Sequence, residues 1–221
     1  MSTTHNSLPA SSDRHHNGHG EASLYHASHG HAWSGNPNYT LTQLIPELRI
    51  NLGSSLDIGS GEGADVAWLA SLGWKAVGLE PSDVAVERSR ELSSNATFIQ
   101  GQAPQDLDQC GGPFDLVTGF YIPIAGEEAW RAIARQVADG GYLIYVHHNL
   151  DELHHNLDEL RTKGHPLLGR DDLLMPFDAA DLAPSDAWEI VVHETRHREI
   201  VGGHGHHHHL DDVVVLKRRK K

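Results

Sequence analysis

From about residue 55 onward, short apolar runs alternate with longer stretches of helical periodicity. Leu56 with Ile58, Val77-Gly78-Leu79, Phe98-Ile99, Phe114 with Leu116 and Val117, and Tyr142 to Val146 form the apolar series. Each run is short and most are flanked by Gly, Pro, Asp or Ser, the pattern of a buried strand. Between them lie helical segments. Glu62 to Leu72 places Val66, Ala67, Leu69 and Ala70 on one face, and Gly73 is a C-cap. Ser82 is a natural N-cap for a helix reaching about Leu92. Further helices are predicted over Thr40 to Arg49 and Glu127 to Ala138, and strands over Lys75–Glu80, Ala96–Gln100, 114–118 and 142–146. Strands alternating with helices predict a doubly wound parallel sheet with right-handed crossovers.

The pattern changes after residue 150. Asp151 to Gly164 is polar and helical, and Pro166 to Pro184 is irregular, with Leu173, Leu174, Met175 and Phe177; together they form an expected cap over the active-site side. Trp188 to Ile200 and Leu210 to Leu216 are β-rich runs bracketing Gly202-Gly203-His204-Gly205, which predicts a terminal hairpin. Residues 1–30 are rich in Ser, His, Asn and Gly and are expected to be disordered, because so few large apolar groups cannot offset the ordering entropy. The expected organisation is therefore this His-rich segment, a domain over 31–217 and a basic tail at 218–221.

Composition narrows the function classes. The 221 residues suit one domain, and the formal charge of −13 argues against a nucleic-acid partner bound through a general basic surface. Lys217-Arg218-Arg219-Lys220-Lys221 is the one basic run and reads as a solvated end. A lone cysteine, Cys110, permits no internal disulfide and fits a reducing compartment. It lies in a polar stretch and carries no evident chemistry. No apolar run is long enough to span a membrane and no signal-peptide core is present, so a soluble, cytoplasmic protein is expected.

The chemistry concentrates at Leu56-Asp57-Ile58-Gly59-Ser60-Gly61-Glu62-Gly63. A strand meets three glycines spaced two apart, and a helix follows. Glycines admit positive φ and close approach of a ligand, and the N–H groups of the new helix face whatever lies over the turn. About twenty residues on, Val77-Gly78-Leu79-Glu80 ends a second strand in a carboxylate, placed to accept hydrogen bonds from both ribose hydroxyls of a nucleoside. Gly59, Gly61 and Ala64 formally satisfy a dinucleotide fingerprint. Against a dinucleotide stand Gly63, Asp57 two residues before the first glycine, and Glu62 where a pyrophosphate would dock. A carboxylate there suits a ligand carrying an ammonium and a sulfonium.

This stretch resembles motif I of the class I S-adenosylmethionine (SAM)-dependent methyltransferases. The resemblance implies a seven-stranded, mostly parallel α/β sheet with an antiparallel C-terminal strand. It also implies that Asp57, Gly59, Ser60, Gly61 and Gly63 hold the methionine end of SAM, Glu80 the ribose with Pro81 beside it, and Gln102 with Ala103 the adenine edge. Phe120 and Tyr121, at the exit of the fourth strand, are expected to pack on the adenine or form the substrate wall, the alternative being core. Trp33-Ser34-Gly35-Asn36-Pro37-Asn38 ahead of a helix resembles the tellurite-resistance and thiopurine-type small-molecule branch. In that branch Trp33 belongs to a lid, the alternative being an anchor on the sheet edge. The implied partner is a small-molecule methyl acceptor, with Trp33 and Tyr121 on its side of the pocket.

Histidines are abundant, nineteen in all. His147 and His148 end the fifth predicted strand, on the ligand-binding edge, where a near-neutral base could take a proton from the acceptor; a loop role is the alternative. His206, His207, His208 and His209 sit in a Gly-rich turn, where adventitious divalent metal is expected in place of a fixed site. Two other readings stay open from sequence: an NAD-dependent oxidoreductase on a Rossmann fold, and a non-catalytic His-rich metal-binding protein that keeps the fold.

Overall fold

The computed structural model describes residues 32–149, 173–198 and 209–220. The expected disorder of 1–30, the polar helix over 151–164, the Gly202–Gly205 turn, His206, His207, His208 and Lys221 lie outside these residues.

Seven strands form one sheet. They are β1 (Ser54–Ile58), β2 (Lys75–Glu80), β3 (Thr97–Gln100), β4 (Phe114–Phe120), β6 (Val137–His148), β8 (Trp188–His197) and β9 (Leu210–Arg218), while β5 (Ile124–Ala125) and β7 (Leu173–Leu174) pair apart. The order is β3-β2-β1-β4-β6-β9-β8. All neighbours run parallel up to β6, and β9 runs antiparallel between β6 and β8. This is the seven-stranded, mostly parallel α/β fold with an antiparallel last strand. Helices α1 (Tyr39–Glu47), α2 (Ala64–Ser71), α3 (Asp83–Leu92), α4 (Gly126–Arg135) and the short α5 (Pro176–Asp181) accompany it.

Both faces of the sheet are buried along its central strands, as parallel strands require, while the edge strand β8 is largely exposed. One face packs Leu116, Ile144, Val146, Val213 and Val215 against Leu41, Leu44, Val66 and Leu69. The other packs Leu56, Ile58, Val117, Leu143 and Val214 against Trp130, Ile133, Ala179 and Ala180. Because β9 is reversed, its first residues lie at the same edge as the last residues of β4 and β6: His148 stands opposite Asp211 and His147 opposite Asp212.

Several boundaries differ from expectation for local reasons. The helix expected over Glu62–Leu72 begins only at Ala64, because Gly61 and Gly63 are left-handed. The helix expected to reach Ala138 stops at Arg135. The following strand starts at Val137, which is fully buried opposite Phe114, and carries both glycines with a register shift. A Cβ on Gly141 would stand 2.9–3.0 Å from three backbone oxygens, so only glycine passes there. Pro176 opens a helix in the stretch expected to be irregular, with Asp178 accepting the Met175 N–H at 3.1 Å. The basic end is partly structural, since Arg218 belongs to β9 and donates to the Val137 carbonyl. Cys110 is buried in the core and its thiol is pushed up to about 11, mainly by burial.

Candidate active site

The turn after β1 is built as the glycine pattern requires. Gly59, Gly61 and Gly63 have φ of 69°, 53° and 84°, a region open mainly to glycine. The N–H groups of Gly59 and Ser60 both donate to the Leu79 carbonyl, at 2.8 and 3.1 Å, which clips the turn to β2. Glu80, buried at the end of β2, accepts from Gly61 N at 2.9 Å and from Ser82 N at 2.9 Å. Each carboxylate oxygen carries two lone-pair sites, so capacity for hydroxyl donors remains. Pro81 is exposed beside it, while Ser82 caps α3.

Carboxylates crowd the turn. Asp57 is buried and accepts from Thr118 Oγ1 at 2.7 Å. Burial, then Asp65, and to a smaller degree Glu80 push its pKa well above the usual carboxylate value, against the Thr118 bond. Asp65 is raised too, mainly by burial, and accepts both the backbone N–H and the side-chain amide of Asn38 at 2.6 Å. A region this anionic disfavours a pyrophosphate and suits a cation.

Glu62 plays a different part from the one expected. Its carboxylate faces the protein, accepting from Ala32 N at 3.0 Å, Trp33 N at 3.2 Å and Arg88 at 2.7 Å. The charge is offset by Arg88, so exclusion of a diphosphate falls to Asp57 and Asp65. Residues 32–38 thus form a strap latched to the glycine turn by Glu62 and to α2 by Asp65. Trp33 on that strap is 41% exposed.

The remaining expected residues divide. Gln102 is exposed and its N–H is held by Asp106 at 2.8 Å, which orients the loop after β3; Ala103 is half-buried beside it. Phe120 is buried in the same core cluster as Leu41 and Leu44. Tyr121 is tied to β9, its hydroxyl donating to Asp211 at 2.7 Å. His147 is buried and its Nδ1 has no hydrogen-bond partner among the described residues. Burial, then His148, lower its pKa to about 4. His148 is half-buried, with Nδ1 3.4 Å from Asp211. Of the histidines expected to take adventitious metal, only His209 is described, and it is exposed.

Sequence reasoning missed Asp211, Asp65, Thr118 and Arg88. A usable signal existed for Asp211, since an antiparallel last strand must begin at the edge where His147 and His148 end.

Residues 56–141 match the family model of a methyltransferase domain. That stretch runs from β1 into β6 and contains the glycine turn, Asp57 and Glu80. No curated protein matches the chain. Among solved structures, a SAM-dependent methyltransferase from Anabaena variabilis is similar, with TM-score 0.61 and 13% identity over 89% of this chain and 91% of that one. Magnesium protoporphyrin IX methyltransferase from Synechocystis, solved with bound S-adenosylhomocysteine (SAH), has TM-score 0.56 and 20% identity over 81% and 80%. A protein from the conversion of a disulfide bond into a thioacetal group during echinomycin biosynthesis has TM-score 0.60 and 21% identity over 86% and 84%. Residues 56–141 are thus similar to a methyltransferase domain, and the chain has the class I SAM-dependent methyltransferase fold.

Proposed function

We propose that this protein is a SAM-dependent methyltransferase that transfers a methyl group to a small-molecule acceptor and releases SAH. The observation that carries the cofactor is the anionic turn, in which Asp57, Asp65 and Glu80 surround three left-handed glycines. The residues fit the cofactor. Asp57 would hold the ammonium of the methionine end, the glycine backbone would lie along it, and Glu80 would take the ribose hydroxyls while keeping the Gly61 and Ser82 N–H groups. Gln102 and Ala103 lie at the edge for the base. When bound, SAM supplies a methyl group on a positively charged sulfur, open to displacement by a nucleophile.

What the chain adds is largely alignment. Holding nucleophile and methyl carbon in line contributes about 7–11 kcal/mol in well-oriented systems. The strap from Ala32 to Asn38, latched on the glycine turn, is placed to exclude water from that side. The resemblance of Trp33-Ser34-Gly35-Asn36-Pro37-Asn38 to the tellurite-resistance and thiopurine-type branch supports a small acceptor, and a cytoplasmic enzyme fits the single buried thiol. An NAD-dependent reading is disfavoured by Asp57 and Asp65 beside the turn, since a ribose-binding carboxylate such as Glu80 would serve either cofactor.

Isothermal titration calorimetry with SAH, with NAD⁺ in parallel, tests this directly. SAH binds, NAD⁺ does not, and Glu80→Ala weakens SAH by roughly 100-fold, the loss of about 3 kcal/mol of charge-assisted hydrogen bonding. Silence from SAH, or a signal from NAD⁺, refutes the reading.

A further inference from the structure

At the end of β4 the chain turns through Tyr121 with φ of 57°. A bulky residue in that region is strained and persists only where its surroundings over-determine it. The surroundings are specific. The hydroxyl donates to Asp211 Oδ2 at 2.7 Å. The ring stacks on His148, with centroids 4.3 Å apart and planes at 25°, and the Arg198 guanidinium lies 4.9 Å from its centre. Asp211 is wholly buried, stands opposite His148 in the β6–β9 register, and turns Oδ1 toward His148 Nδ1 at 3.4 Å.

A buried carboxylate is costly unless its oxygens are engaged. This one is engaged on one oxygen by a phenol and faces an imidazole nitrogen with the other. At 3.4 Å the two atoms are within reach but do not meet hydrogen-bond geometry, and contacts at catalytic groups often align only once a substrate is bound. The bond made at one ring nitrogen of a histidine decides which nitrogen carries the proton. The adjacent His147 ring lies edge-on to this cluster, with centroids 5.8 Å from His148 and 6.3 Å from Tyr121, and Asp212, opposite it in the register, accepts from Asn149 at 2.8 Å and Thr195 at 2.7 Å.

We propose that Asp211 is a positioning residue for methyl transfer, holding the Tyr121 hydroxyl on one oxygen and the Nδ1–H of His148 on the other, so that Nε2 of His148 is the basic nitrogen for a protic acceptor. This rests on the methyltransferase reading above. In the step, the acceptor heteroatom bonds to the methyl carbon, and the carbon–sulfur bond breaks with its electron pair staying on sulfur. The acceptor's proton passes to Nε2, and the positive charge lost from sulfur appears on an imidazolium that faces Asp211. The acceptor class follows from the chemistry. A thioether or tertiary amine loses no proton and needs no base, so this constellation fits an acceptor with an N–H, O–H or S–H to give up.

The test reads the tautomer without any acceptor. Long-range ¹H–¹⁵N spectra of the full chain labelled with ¹⁵N-histidine, in mildly alkaline buffer, are assigned by the ring lost in His148→Gln. In the wild type, His148 shows a pyrrole-type Nδ1 and a pyridine-type Nε2. In Asp211→Asn, an amide that serves Tyr121 with its oxygen turns its NH₂ toward Nδ1, and the tautomer inverts. Tyr121→Phe leaves the Asp211–His148 contact and keeps the wild-type tautomer. An Nε2–H form in the wild type, or a tautomer unmoved in Asp211→Asn, overturns the proposal. SAH titration of the same proteins separates the two readings. Wild-type affinity in Asp211→Asn shows that the cofactor side is intact, whereas no binding by the wild type removes the methyltransferase reading and this proposal with it.

Discussion

Gly59→Ala is the sharpest probe of how the cofactor turn is built. Two separate costs meet at this residue. Its φ of 69° is left-handed, which for an L-residue costs roughly 1–2 kcal/mol. A Cβ there would also stand 2.3 Å from Ile122 Cγ2, far inside contact, while Ile122 Cβ would be at an ordinary 3.6 Å. Ile122 has little freedom to retreat. Its far end fills the notch left by Gly119, 2.8 Å from where a Cβ would be, and its carbonyl accepts from Tyr145 Oη at 3.2 Å. Overpacking of this kind costs about 1–3 kcal/mol. Gly59→Ala is therefore expected to destabilise by about 2–5 kcal/mol in total. Ile122→Ala removes Cγ2 and leaves the backbone cost alone, so in that background the same substitution costs only about 1–2 kcal/mol. Urea unfolding of the four proteins of this cycle, extrapolated linearly to water, measures the difference. Additivity to within about 0.5 kcal/mol would refute the steric part of the account.

Asp57 carries a trade between stability and binding. Its folded pKa lies above its unfolded value of 3.8, so the folded state holds the proton more tightly and stability falls as pH rises past the usual carboxylate range. Asp57→Asn is expected to raise the melting temperature at neutral pH while weakening SAH about 10- to 100-fold; a lower melting temperature would contradict it. His147 acts in the opposite direction. With a folded pKa near 4 against 6.5 unfolded, its contribution is intact above about pH 6.5 and is lost as pH falls toward 4, on the order of 3 kcal/mol. Unfolding free energies against pH should be flatter in His147→Gln over that window, and an unchanged slope would show that His147 is not the group responsible. Glu62→Gln weakens the latch on Ala32, Trp33 and Arg88, so amide exchange over residues 32–38 should quicken by about tenfold or more. Unaltered protection would mean that Asp65 and Asn38 hold the strap alone.

The alternation of apolar runs and helical stretches made the parallel sheet legible, because each run buried on both faces is almost continuously apolar. The glycine turn was legible for a similar reason: its residues lie within one short stretch whose backbone demands are visible in residue type. Glu62 was misread because sequence shows a charge but not its partners. Arg88 lies a helix away, and nothing in the residues of the 32–38 segment shows that the Ala32 and Trp33 amides turn toward Glu62. Phe120 illustrates a second limit, since a strand-end aromatic serves core and pocket equally until its face is known. Asp211 needed one further step, from the reversed direction of the last strand to the edge where its first residues fall. The helix starting at Pro176 was missed because six residues hold too little periodicity to outweigh a proline and the irregular stretch around it.

The placement of β9 also sets an order of assembly. The bonds that shape the cofactor turn are short-range: Gly61 to Glu80 spans 19 residues. Tyr121 to Asp211 spans 90, and the proposed acceptor wall closes only when the last strand slots between β6 and β8. A nascent chain that has not yet reached Leu210 can form the glycine turn while the strained Tyr121 and His148 still lack the carboxylate that fixes them. On the proposed function the two halves of the site are thus separable in time, and exchange of β8 and β9 is expected to alter acceptor choice while the cofactor half keeps its local wiring.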